Sequence, residues 1–296
     1  MLIRRRRLLA DGYTSDEVQR GVRSGQLILL RKGCYVPPSA LPEKPEDRYA
    51  LRVRATVPEL APDAVISHAS AAALFGLPLW GVGLARVHVT RARRNGGSVH
   101  RHLHVHSAQL DTADLDVYDG FLVTSIPRTV ADLARSLPFE HAVVLADAVL
   151  NRGLATREEL EAAIERGTRR SGTPAARRVV AFADGRSESP GESRSRVRMR
   201  LSGLPEPELQ MPINTRLGAY RADFGWPRYR AVGEFDGLAK YGVLLQPGQD
   251  PRDAVVAEKR REDAIRDEDW HVTRWVWSEL EPFDAVARRI ERSFRR

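Results

Sequence analysis

The chain has 296 residues, too long for one small core and sufficient for two or three domains. Its 42% hydrophobic and 29% charged residues exclude disorder throughout, and its single cysteine, Cys34, excludes an intrachain disulfide or a thiolate cluster. The net charge of +8 admits a polyanionic partner, and no apolar run approaches the roughly 20 residues of a membrane helix, so the expected compartment is the cytoplasm.

The basic excess is uneven. The first 40 residues carry eight basic groups (Arg4, Arg5, Arg6, Arg7, Arg20, Arg23, Arg31, Lys32) against three acids. A short helix is predicted from Arg4 to Ala10, ended by Asp11-Gly12. Thr14-Ser15-Asp16-Glu17 then forms a capping box, in which Glu17 reaches back to the Thr14 backbone. The following helix sets Val18 and Val22 on one side and ends at Gly25. Leu27 to Val36 reads as a tight hairpin around Lys32-Gly33. Two helices followed by a basic hairpin is the order of a winged helix, whose second helix enters the major groove while the wing touches phosphate. Residues 1–40 are therefore predicted to be a DNA-binding module, with the eight basic side chains as its contacts. For Arg4–Arg7 a solvated helix face is the alternative.

Residues 41–183 mix strands and helices. A helix is predicted from Ala69 to Phe75, and strands from Arg86 to Thr90 and Val99 to His106. On the latter, His100, His102, His104 and His106 share one face. Four imidazoles could hold a metal. Side chains on one strand face stand nearly 7 Å apart, however, so a closed site needs ligands from another segment and a solvated face is the simpler expectation. Helices follow at 140–150 and, behind the capping box Thr156-Arg157-Glu158-Glu159, at 159–167. The polar, turn-rich residues 183–191 mark a domain junction.

In this part of the chain Gln26-Leu27, Arg31-Lys32-Gly33-Cys34-Tyr35-Val36, Ser67-His68-Ala69-Ser70-Ala71-Ala72, Gly76-Leu77-Pro78 and Arg128-Thr129-Val130-Ala131-Asp132-Leu133 resemble the AbiEi-type antitoxin family over about residues 1–150. The resemblance implies a winged-helix transcriptional regulator and a partner, a cognate nucleotidyltransferase-type toxin. That family carries a further helix before the capping box, for which this chain has little sequence.

Residues 188–296 hold the acidic constellation. Ser189-Pro190-Gly191-Glu192 opens a helix to about Leu201. Tyr220 to Phe224 and Tyr229 to Phe235 read as paired strands about a turn, which opposes Asp223 to Glu234 on one face, with Asp236 two residues further on. Such carboxylates suit Mg²⁺, which would polarise a phosphate and help generate hydroxide, and Lys240 could stabilise the transition state. Asp223, Glu234 and Asp236 are the predicted metal ligands. The duller alternatives are a cap for Glu192, ion pairs to Arg221 or Arg230 for Asp223 and Glu234, and a turn at Asp236-Gly237.

The run Asp223…Glu234-Phe235-Asp236-Gly237…Lys240-Tyr241, with Glu258-Lys259-Arg260-Arg261-Glu262-Asp263 and Trp270-His271-Val272-Thr273-Arg274-Trp275, resembles the nuclease domain of very-short-patch-repair endonucleases. It implies a restriction-endonuclease-like fold with Glu192, Asp223, Glu234 and Lys240 as catalytic residues. The family's Glu-x-Lys is here Glu-Phe-Asp, so Lys240, or Lys259 from the next helix, would have to replace the missing lysine. The expected fold class is multidomain α+β: a winged helix, an α/β middle region and a restriction-endonuclease-like domain with a mixed central sheet. The expected function is a DNA-binding, Mg²⁺-dependent endonuclease; the alternative is an antitoxin-like regulator whose nuclease fold is inactive.

Overall fold

The computed structural model describes residues 2–92, 96–237 and 260–295. They form a mixed α+β chain with three sheets, divided into two units. One comprises Met1–Leu145 and Leu154–Ala181, the other Ala146–Gly153 and Phe182–Arg296.

The first unit opens with strand β1 (Ile3–Arg4), helices α1 (Arg5–Ala10) and α2 (Ser15–Arg23), and strands β2 (Ile28–Arg31) and β3 (Cys34–Val36). The first residue of the predicted Arg-rich helix, Arg4, is thus claimed by pairing: Ile3 lies opposite Tyr35 and Arg4 opposite Cys34 in a sheet ordered β1-β3-β2. The Thr14 capping box forms as the sequence predicts. The Thr14 hydroxyl accepts from the Glu17 N–H at 3.2 Å and the Glu17 carboxylate from the Thr14 N–H at 2.7 Å. Gly33 makes the hairpin turn possible with φ of 75°.

Helix α3 (Pro45–Thr56), strand β4 (Val65–Ile66), helix α4 (His68–Leu74), and strands β5 (Val87–Arg91), β6 (Ser98–Val99), β7 (Leu103–Ser107), β8 (Leu115–Tyr118) and β9 (Phe121–Thr124) follow. Their mixed sheet has the order β6-β7-β5-β4-β9-β8. The single strand predicted over 99–106 is broken, because residues 100–102 form a turn in which the His100 N–H donates to the Leu103 carbonyl at 2.8 Å. Helices α5 (Ile126–Ser136), α6 (Phe139–Asn151), α7 (Arg157–Arg166) and α8 (Thr173–Phe182) complete this part of the chain.

The second unit is built on helix α9 (Pro190–Leu201) and strands β10 (Glu208–Thr215), β11 (Gly218–Trp226) and β12 (Ala231–Asp236). A helix, α10, occupies 260–267 before strand β13 (His271–Val276), and helix α11 (Asp284–Ser293) ends the unit. The sheet runs β10-β11-β12-β13; its first three strands are antiparallel and β13 lies parallel to β12. A parallel neighbour requires a crossover, and α10 lies on that connection. Phe224, Phe235, Trp275, Phe283, Val286 and Ile290 pack in one cluster, and Met211, Ile213, Ala222, Val232 and Ile265 in another. The first cluster takes side chains from α9 and α11, among them Met199 and Ile290, and the second takes Ile265 from α10.

Candidate functional site

The predicted DNA contacts divide by burial. Arg4 turns inward and donates to the Ala55 carbonyl at 2.7 Å. Arg31 donates to the same carbonyl at 3.3 Å and pairs with Glu59. Both tie the small sheet to the end of α3. Arg5 bridges α1 to α2 through the Ser15 hydroxyl at 2.7 Å, and Arg7 pairs with Asp11 at 3.0 Å. Arg6, Arg20, Arg23 and Lys32 are exposed. Of these, Arg20 lies 4.0 Å from Glu17 on its own helix, a contact too weak and too solvated to hold it. The buried side of α2 is Val18 and Gly21, so Gln19, Arg20 and Arg23 face solvent.

In the second unit the sheet sets a row of polar side chains across four strands. Gln210 falls between the registered pairs Leu209–Phe224 and Met211–Ala222, opposite Asp223. The pairs Phe224–Gly233 and Gly225–Val232 continue outward to oppose Asp223 to Glu234, the register that the sequence predicts. Glu234 in turn stands beside Arg274.

The chemistry along that row is closed by cations and amides. Glu192 is buried at the start of α9. Its carboxylate accepts from the Ser189 hydroxyl at 2.7 Å, the Glu188 N–H at 2.9 Å and the Gln210 amide at 2.9 Å. Burial nevertheless raises its pKa above the ordinary value. One Asp223 oxygen accepts from the Phe235 N–H at 2.8 Å. Glu234 is 5% exposed, and its Oε2 lies 2.6 Å from Arg261 and 3.0 Å from Arg274. Arg274 also approaches Asp236 at 3.9 Å. Glu234 Oε1 is buried with no hydrogen-bond partner among the described residues.

The ion partners of Glu234 are therefore Arg261 and Arg274, not the Arg221 or Arg230 of its own hairpin. Arg221 pairs with Glu188 at 2.7 Å, and Arg230 donates to backbone carbonyls at Glu268 and Asp269. Among the described residues Asp223, Glu234 and Asp236 do not gather as a group of ligands. Both guanidinium groups pair with Glu234 Oε2, and positive charge there works against a second cation on that oxygen. Among the described residues the three carboxylates therefore do not converge on one cation as they are placed. Lys240 and Lys259 lie outside the described residues.

The histidines regroup. His100 and His102 belong to the turn before β7, leaving His104 and His106 on the strand, and His88 joins them from β5. Burial foremost, together with neighbouring imidazoles, lowers the pKa of His88 to about 4 and that of His106 to about 2. Half-burial of these rings replaces the solvated face predicted from strand alternation. His88 carried no signal in the sequence, because its partners lie beyond an intervening turn and its strand neighbours are apolar.

No family model matches the chain. Two uncharacterized proteins of Mycobacterium tuberculosis, one from strain CDC 1551 / Oshkosh and one from strain H37Rv, are each 39% identical to it over 127 residues, 43% of this chain and 47% of theirs. The chain thus spans about half the length of the curated relatives it matches. A crystal structure of the RV2827C protein from M. tuberculosis aligns with a TM-score of 0.40 and 16% identity, over 66% of this chain and 75% of that one.

Proposed function

We propose that the protein binds duplex DNA through its first 40 residues and that its carboxyl-terminal unit is a nuclease-like fold that does not cut. The observation that carries the reading is the outer face of α2 and the hairpin turn, where Arg20, Arg23 and Lys32 stand exposed. A strand, two helices and a basic hairpin closing one small sheet is the arrangement of a winged helix, in which α2 would enter the major groove and Lys32 would meet phosphate. In the second unit, a helix, three antiparallel strands and a crossover to a parallel fourth supports a restriction-endonuclease-like reading. Arg261 and Arg274 on Glu234 support its inactivity. The function is then that of an antitoxin-like transcriptional regulator.

Retardation of the duplex upstream of its own gene, measured by gel shift, tests this. A shift lost in the Arg20→Ala/Arg23→Ala variant supports it; no shift at moderate salt overturns it. The opposed register of Asp223 and Glu234 favours a second reading, Mg²⁺-dependent hydrolysis. Plasmid cleavage in Mg²⁺ that disappears in Asp223→Ala would establish that reading instead.

A further inference from the structure

The large sheet of the first unit carries a group of side chains that DNA binding does not use. Strands β5 and β7 run parallel, with His88 beside His104 and Thr90 beside His106. Residues two apart on a strand share a face, so His104 and His106 project to the side where His88 stands. One nitrogen from each of these three imidazoles lies within 4.8 Å of the other two, among the described residues the sole such group of His, Cys, Asp or Glu. His88 Nδ1 is 2.9 Å from His106 Nε2. A fourth ring arrives from another element: His68, at the start of α4, has φ of 51° and stacks on His106 with centroids 3.6 Å apart. A positive φ is uncommon for a residue other than glycine, and here it accompanies a ring set against His106 and 6.0 Å from that of His88.

We propose that His88, His104 and His106 bind one first-row transition-metal ion of the Zn²⁺ type, with His68 covering the site. The donor chemistry selects the ion: imidazole nitrogen suits Zn²⁺, Ni²⁺ or Cu²⁺, whereas Mg²⁺ takes oxygen. The spacing is close to what coordination needs. With Zn–N near 2.0–2.1 Å, tetrahedral ligand nitrogens stand about 3.3 Å apart. The His88–His106 contact opens by a few tenths of an ångström, and the wider separations close by side-chain rotation. Three protein ligands leave one coordination position, on the side where His68 lies. The surrounding charges are mixed: Arg86 faces His88 and His104, while Asp132 faces His106 and is itself bonded to Arg128 and Arg135.

The test uses the untagged full chain, stripped with a chelator and titrated with Co²⁺ and then Zn²⁺. One equivalent of Co²⁺ should produce the visible absorption of a nitrogen-ligated tetrahedral ion, bleached by one equivalent of Zn²⁺ and untouched by Mg²⁺. His88→Asn and His106→Asn should each weaken binding about tenfold or more, while His100→Asn/His102→Asn in the turn should not. A readout without substitutions is the histidine ring spectrum by NMR: Zn²⁺ should move the signals of His88, His104 and His106 and leave those of His100, His102, His141 and His271 in place. Substoichiometric binding, or Zn²⁺ shifting the turn histidines instead, overturns the proposal.

Discussion

Arg128 is 1% exposed and still charged, which is tolerable only because acids surround it. It pairs with Asp114 at 2.5 Å and Asp132 at 2.8 Å, while Arg166 reaches Asp114 at 3.0 Å and Arg135 reaches Asp132 at 3.0 Å. Removing one partner strands the others, so Arg128→Ala should cost about 3–5 kcal/mol in urea unfolding. Burial opposes ionisation of Asp114, but Arg128 and Arg166 outweigh it and hold the carboxyl below its ordinary value of 3.8. A depressed carboxyl contributes stability above its unfolded pKa and loses it as pH falls through the folded one. Stability should therefore decline below about pH 4, and Asp114→Asn should flatten that acid limb while lowering stability at neutral pH. At this scale the sequence was half legible. Arg128 and Asp132 stand four apart on a helix and meet locally, whereas Asp114 arrives from a separate segment that no spacing identifies. The same limit applies to Glu234, whose partners Arg261 and Arg274 lie 27 and 40 residues away.

At the scale of elements, helices announced themselves through caps and apolar spacing. The Thr14 and Thr156 boxes form as read, and α11 buries Val286, Ala287 and Ile290 at helical spacing. Strand β10 went unread although Leu209, Met211 and Ile213 alternate inward, because Pro212 interrupts the run. Proline is admissible there since β10 is an edge strand. Close approach between elements was also invisible. A Cβ on Gly191 would sit 1.9 Å from the Phe235 ring, so Gly191→Ala should push α9 from β12 and cost about 1–3 kcal/mol or more. Calorimetry would read this as an earlier transition. For the proposed DNA interface the burial pattern separates two classes of arginine. Arg20→Ala and Arg23→Ala should each weaken duplex binding across sequences and reduce the salt slope by about 1 without altering stability. Arg4→Ala and Arg31→Ala should lower stability, because each loses its bond to Ala55.

At the scale of the whole molecule the chain divides into two units. The predicted junction at 183–191 lies next to the boundary at Phe182, but residues 146–153 also belong to the second unit. Helix α6 runs through Leu145 without a break, so no turn residue or change of period marked that division. The α+β class was legible from strand alternation and helix caps, whereas the mixed carboxyl-terminal sheet was expected only from the nuclease resemblance. What the carboxylates meet was not legible, since it depends on side chains brought from α10 and β13. The proposed function requires the exposed basic face of the first unit to hold DNA and the arginine-paired carboxylates of the second to leave it intact. The most direct measurement is fluorescence anisotropy of a labelled duplex titrated with wild type and with Arg20→Ala/Arg23→Ala/Lys32→Ala, over a series of salt concentrations, in Mg²⁺ and in chelator, with the duplex recovered afterwards. Binding indifferent to Mg²⁺, an uncut duplex and a log–log salt slope smaller by about 2.7 in the triple variant is the predicted result. Equal slopes for the two proteins, or cleavage in Mg²⁺ abolished by Asp223→Ala, would contradict it.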